Sequence, residues 1–188
     1  KDEIIRRYYD ATNKMANGAD NENEVNKIRL LFNQAKISTA TRPVTVAAYE
    51  RKIQSGNHAA AIQLEDGTII TSKTTPLLGC CAALLLNAMK HLAGIAHEVK
   101  LIPQSMIEPI QKTKIEYLGG HNPRLHTDEV LVALSVLSQR DENCRKALEQ
   151  LPQLHGCQLH TTVMLSEVDR KIWRKLGCGL TCDPVKKK

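Results

Sequence analysis

The spacing of hydrophobic and polar positions changes period once along the chain, near Asn57. Up to about Gln54 the period is helical. "DEIIRRYYDATNKMA" ends near Asn17-Gly18, and "NEVNKIRLLFNQAKI" sets Val25, Ile28, Leu31, Phe32 and Ala35 on one face. "RPVTVAAYERKIQ" runs from Pro43 toward Gly56-Asn57. Three short helices are predicted. They bury little among themselves, so their apolar faces are expected to pack on the residues that follow or on further chain. The division predicted is a helical region over 1–56 and an α/β domain over 57–188.

From Asn57 onward, strand and helix patterns alternate. "HAAAIQL" and "TIITS" flank Glu65-Asp66-Gly67, and Asp-Gly between two such runs predicts a hairpin. Thr75 as N-cap and Pro76 at the first helical position predict an apolar helix from about Pro76 to Ala93, stopped by Gly94. "EVKLIP" reads as a strand and "QSMIEPIQKTKIEY" as a helix broken at Pro109. Thr127 is placed to cap "DEVLVALSVLSQR", and "ENCRKALEQL" follows as a second helix. "QLHTTVML" reads as a strand, Ser166 with Asp169 as an approximate capping box for "EVDRKIWRKLG", and "GLTCDP" as a short last strand. The order fits a layered α/β domain, a central sheet with helices on both faces.

Composition narrows the function classes. The 188 residues are 42% hydrophobic and 24% charged, as in ordinary globular proteins. No apolar run reaches the roughly 20 residues that span a bilayer, and "KDEIIRRYYD" lacks a signal-peptide layout, which points to a cytosolic protein without a membrane partner. Opening on Lys1 rather than Met, the chain is expected to be cut from a longer polypeptide. The formal charge of +6 sits at the ends: residues 1–57 carry ten Lys/Arg against seven Asp/Glu, Lys186 to Lys188 add three, and 58–185 are neutral. With 3% aromatic residues, stacking platforms for bases are scarce, so nucleic acid is excluded as the expected partner. Cys80, Cys81, Cys144, Cys157, Cys178 and Cys182 form no C-x-x-C pair and are expected to be buried thiols.

Chemistry-bearing residues gather in two places. Gly67, four residues, then Ser72-Lys73-Thr74 come one glycine short of a phosphate loop. Thr68 to Thr71 are β-branched throughout, however, and favour an extended chain over a curl around an anion. Lys73 and Thr74 are instead expected where a strand meets a helix N-terminus, a place receptive to anions. The densest polar stretch is "LGGHNPRLHTDE", with His121, Asn122, Arg124, His126, Asp128 and Glu129 within nine residues.

The stretches "TSKTTPLLG", "GGHNPRLHTDEVLVALSVL" and "LHTTVMLSEVDRKIWRKLGCGLTCDP" closely resemble the C-terminal part of a mainly bacterial family, domain of unknown function 1846. The resemblance covers most of the chain. It implies a longer protein with a large N-terminal part, a small helical region and a C-terminal α/β subdomain similar to the cytidine deaminase topology. It does not carry deaminase chemistry. A zinc deaminase needs a His or Cys, a Glu two residues on and a later P-C-x-x-C, whereas this chain reads Cys81-Ala82-Ala83 and has no P-C-x-x-C. Members have been labelled ATP-dependent peptidases, a label that the near-phosphate-loop pattern explains and the hairpin undercuts.

Two function classes remain open. In the first, Lys73, Thr74, Asn122, Arg124, His126, Asp128 and His160 gather as a small-molecule or anion site of a larger enzyme, with Arg124 holding a carboxylate or phosphate and His126 moving a proton. In the second, the same groups cap helices and pair internally, and the apolar helices mediate domain packing and a homo-oligomer. No G-x-S-x-G elbow names a reaction, no cofactor is implied, and His126, Asp128 and His160 lack a metal-site spacing.

Overall fold

The structure, a computed structural model, describes residues 1–186; Lys187 and Lys188 of the basic tail lie outside the described residues. The predicted hairpin forms. Strand β1 (Ala59–Gln63) turns into β2 (Ile69–Lys73). Gly67, at φ 87°, supplies the left-handed turn residue; its N–H reaches Leu64 O at 3.0 Å, and the Asp66 carboxylate takes the Thr68 N–H at 2.9 Å. Ser72 and Lys73 are therefore ladder residues on an extended strand and not part of a phosphate cradle.

Strands β3 (Gln158–Thr161) and β4 (Gly179–Cys182) complete a mixed sheet in the order β2-β1-β3-β4. β1 is antiparallel to both its neighbours, and β3 and β4 are parallel. β2, β3 and β4 thus run in one direction and end on one edge. Eight α-helices accompany the sheet among the described residues.

Alternation along β1 sorts the layers. Ala61 packs on Val44 and Ala48 of α3 (Pro43–Ser55). Ala60 and Ile62 face the larger core on the other side, with Leu84, Leu85 and Met89 of α4 (Cys80–Leu92), Val130 and Leu134 of α6 (Thr127–Leu137), Cys144 and Ala147 of α7 (Glu142–Leu148) and Trp173 of α8 (Glu167–Lys175). Helices therefore cover both faces. α1 (Asp2–Ala16) and α2 (Glu22–Ala35) bury Ala11, Val25 and Ile28 against each other. α1 joins the sheet through Asn13, whose Nδ2 donates to Cys182 O at 2.7 Å. All six cysteines are buried, and none forms a disulfide among the described residues.

Four local expectations are corrected. The helix expected from Pro76 starts at Cys80, because Thr75 Oγ1 accepts the N–H groups of Leu77 (3.3 Å) and Leu78 (3.0 Å) and closes a turn instead. Leu77 and Gly79 are then tied by backbone bonds to Leu125. "EVKLIP" makes no strand: the Lys90 ammonium takes the His97 and Val99 carbonyls and Cys144 Sγ takes that of Leu101, so side chains use the groups a ladder needs. Leu101 and Ile102 still anchor in the core. α5 (Gln104–Lys112) runs through Pro109 and widens to a π-turn at Thr113–Tyr117. Lastly, His126 rather than Thr127 is the N-cap of α6.

Ala61 lets α3 lie close to the sheet, so Ala61→Leu is expected to cost about 1–3 kcal/mol by overpacking. Urea unfolding checks the size, and amide exchange should rise first in α3.

Candidate functional site

The carboxyl ends of β2, β3 and β4 share an edge, and the helices that follow begin there. α4 starts after residues 74–79, and α8 after 162–166. The N-terminus of α6 is held at the same edge by a parallel bridge between Leu78 and Leu125. In open α/β sheets this is the edge where ligands most often bind.

The side chain that organises the edge is Asp169, on the first turn of α8 and 3% exposed. Its Oδ1 accepts Thr127 N–H at 2.9 Å and Thr127 Oγ1–H at 2.5 Å; its Oδ2 accepts Ser166 Oγ–H at 2.8 Å and lies 3.0 Å from His126 Nδ1. Burial alone would raise the carboxyl pKa, but the hydrogen bonds from His126 and Thr127 outweigh it and hold Asp169 well below the usual carboxylate range. An ionised carboxylate only accepts, so His126 Nδ1 carries the proton, and in the neutral ring Nε2 keeps its lone pair. With 23% of its side chain exposed, His126 is reachable from solvent. This is the geometry of a histidine oriented for proton transfer or ligation.

The loop before it is held by its neighbours. Asn122 Oδ1 takes the Arg124 N–H at 3.2 Å. Exposed Arg124 donates from Nε to Thr75 O at 2.9 Å, which brings the loop to the segment just past Lys73 and Thr74. Lys114 reaches Arg124 O at 2.7 Å and Glu129 Oε2 at 2.8 Å, and Glu129 Oε2 also takes the His126 N–H at 2.7 Å. Thr74 is spent in the sheet, its N–H on His58 O. Asp128 keeps a buried Oδ1 with no hydrogen-bond partner among the described residues.

His160 does not join them. It pairs with Ala61 across the sheet, so its ring lies on the α3 face, fully buried, with ring centroids 4.8 Å from Tyr9 and 5.9 Å from Tyr49. Nδ1 is 3.0 Å from Thr181 Oγ1, and Nε2 lies 3.4 Å from Asp183 Oδ1 without an aligned hydrogen bond. Tyr49 donates to the other oxygen of Asp183 at 2.6 Å. Arg42, 1% exposed, donates to Thr181 Oγ1 and to Gln158 Oε1. Burial pulls the His160 pKa down, only partly offset by Asp183, and pushes Tyr9 up to about 12.

Sequence reasoning treated Ser166 and Asp169 as a cap alone. The capping spacing is local and readable; the contact of Asp169 with His126, 43 residues away, leaves no sequence signal. Among the described residues no three His, Cys, Asp or Glu side chains are placed to hold a metal ion, and no helix is long and apolar enough to cross a membrane.

Fold and site together define a mixed α/β domain whose polar edge is built around a buried aspartate. The chain belongs to the family described as domain of unknown function DUF1846, C-terminal, whose model matches residues 40–188. It is 49% identical over 183 residues to a UPF0371 protein of Corynebacterium aurimucosum, covering 97% of this chain and 37% of that protein. A UPF0371 protein of Streptococcus pyogenes is 43% identical over 185 residues, covering 98% and 37%. The chain thus spans little more than a third of the length of these bacterial relatives.

Asp169→Ala is expected to cost about 3 to 5 kcal/mol, because it leaves the donors of two helix starts unpaired. The folded pKa of Asp169 lies below its unfolded value. Its contribution is therefore complete above the ordinary carboxylate pKa and is lost as pH falls below that value toward the lower folded one. His160 has a lowered folded pKa, so the unfolded chain takes the proton first. Stability is expected to fall from about pH 6.5 downward, and urea unfolding between about pH 7.5 and 5.5 reads this contribution.

Proposed function

We propose that this domain is the small-molecule or anion-binding part of a larger protein, with the ligand at the carboxyl edge of the sheet and His126 as its proton carrier. The observation that carries the reading is the pairing of His126 Nδ1 with buried Asp169, which leaves Nε2 turned away from the protein's own acceptor. Arg124 supplies the positive charge at this edge; Lys73 pairs with Ala59 across the sheet, so its side chain leaves on the α3 face with His160. Among the described residues Arg124 is anchored through Nε alone, which leaves its terminal nitrogens to a carboxylate or phosphate. The match over about 37% of each relative's length supports a larger protein, with residues 1–56 acting as a helical region docked on 57–188.

The strand order and the β3-α8-β4 unit support the likeness to the cytidine deaminase topology. α4 nonetheless begins Cys80-Cys81-Ala82-Ala83, with no acid to move protons to and from a zinc-bound water. The chemistry proposed here rests on the edge and not on that likeness.

A second reading, a module for domain packing and homo-oligomer assembly, is favoured by Val132 and Val136, which stand 66% and 63% exposed one turn apart on α6. It is favoured too by the internal partners of Asn122 and Thr74.

Arg124→Ala separates the two. On the ligand reading it changes stability by less than about 1 kcal/mol, as expected of an exposed group. It also abolishes the amide shifts that inorganic phosphate induces at residues 73–75 and 122–127. A stability loss of about 2 kcal/mol or more, with no phosphate-induced shift in the parent protein, supports assembly instead.

A further inference from the structure

We propose that the groove between the outer edge of β2 and the second half of α4 binds a small organic anion, a carboxylate or phosphate on a short aliphatic body, whose charge pairs with Lys90. The groove measures about 300 Å³, the lower end of the range for small-molecule sites. It lies along residues 87–91, away from the N-terminus of α4 and from the edge holding His126, so it is independent of the function proposed above.

Lys90 is the reason to expect an anion. It lines the groove, is 8% exposed, and spends two ammonium protons on carbonyls, His97 O at 2.7 Å and Val99 O at 3.1 Å. The third has no hydrogen-bond partner among the described residues, and no carboxylate there forms an ion pair with it. A buried charge answered only by neutral carbonyls is costly, and an anion arriving in the groove removes that cost. Burial draws the Lys90 pKa down and the charge of exposed Glu98 opposes it without forming an ion pair.

The other walls agree. Exposed His91 and His97 line the groove and no acid does. Ile70 and Ile95 give it an apolar side. The β1–β2 ladder supplies a further donor. Thr74 N–H bonds His58 O and Leu64 N–H bonds Thr68 O, so the bonded pairs fall on even-numbered residues of β2, and the N–H groups of Ile69, Thr71 and Lys73 point outward. Asn87 Nδ2 taking Thr71 O at 3.0 Å fits that parity. The Thr71 N–H at the groove is thus presented to whatever occupies it.

Titrating 15N-labelled protein with hexanoate, hexyl phosphate and hexylammonium tests the inference. One of the two anions should shift the amides of Ile69 to Thr71 and Asn87 to His97 saturably, with roughly tenfold higher affinity than hexylammonium. The stronger anion identifies the headgroup. Lys90→Met should abolish that binding. Because Lys90 also ties down residues 97–99, the exposed variant His91→Ala provides the check that spares the fold and should weaken binding several-fold. Equal binding of hexylammonium, or no saturable shift in the groove, overturns the proposal. Shifts confined to residues 73–75 and 122–127 overturn it as well while leaving the edge site standing.

Discussion

Four hydrogen-bond donors converge on the Asp169 carboxylate, and the edge of the domain depends on that convergence. One carboxylate caps the start of α6 through Thr127, fixes the Ser166 cap of α8 and orients the His126 ring. Each helix start presents unpaired N–H groups and a positive dipole end, and a single buried negative charge answers two of them together. The ring of His126 is turned by the same act. Structure and chemistry here share one residue, which is why the site cannot be separated from the packing of α6 on α8.

The opposite face is organised by a second polar cluster. Arg42, His160, Thr181, Asp183 and Tyr49 link the helical region to β3 and β4 beneath Tyr9. Arg42 meets neutral oxygens at close range, its nearest acid being exposed Asp2 at 3.7 Å. Such a cluster specifies how α1 and α3 sit on the sheet more than it adds stability, since burying ions costs roughly what their pairing returns. The two faces of the sheet therefore carry different work: α3 docks through polar groups and alanines, and α4 through a wide apolar core.

Much of the fold was legible because its signals are local. Asp66-Gly67 announced the hairpin, the helical periods marked the three N-terminal helices, and Ser166 with Asp169 marked α8. Where local signals misled, longer-range contacts had prevailed. Thr75 and Pro76 read as a helix start, but Leu125 draws residues 77–79 into a bridge and the helix waits until Cys80. "EVKLIP" had strand propensity, yet Lys90 and Cys144 had claimed its carbonyls. Of the candidate site, Arg124 lies against the segment after Lys73, whereas His160 and Lys73 leave on the α3 face, across the sheet from His126. Facing direction on β3 follows from its register with Ala61, which no linear pattern records.

The most direct test of this account is the tautomer of His126, read from its ring nitrogens by long-range 1H–15N correlation near neutral pH. If Asp169 holds the ring as described, the proton sits on Nδ1 and Nε2 carries the lone pair, and Asp169→Asn shifts that balance. A ring protonated on Nε2 in the parent protein, or one averaging freely between the two forms, would contradict the claim that the buried carboxylate sets the chemistry of this edge.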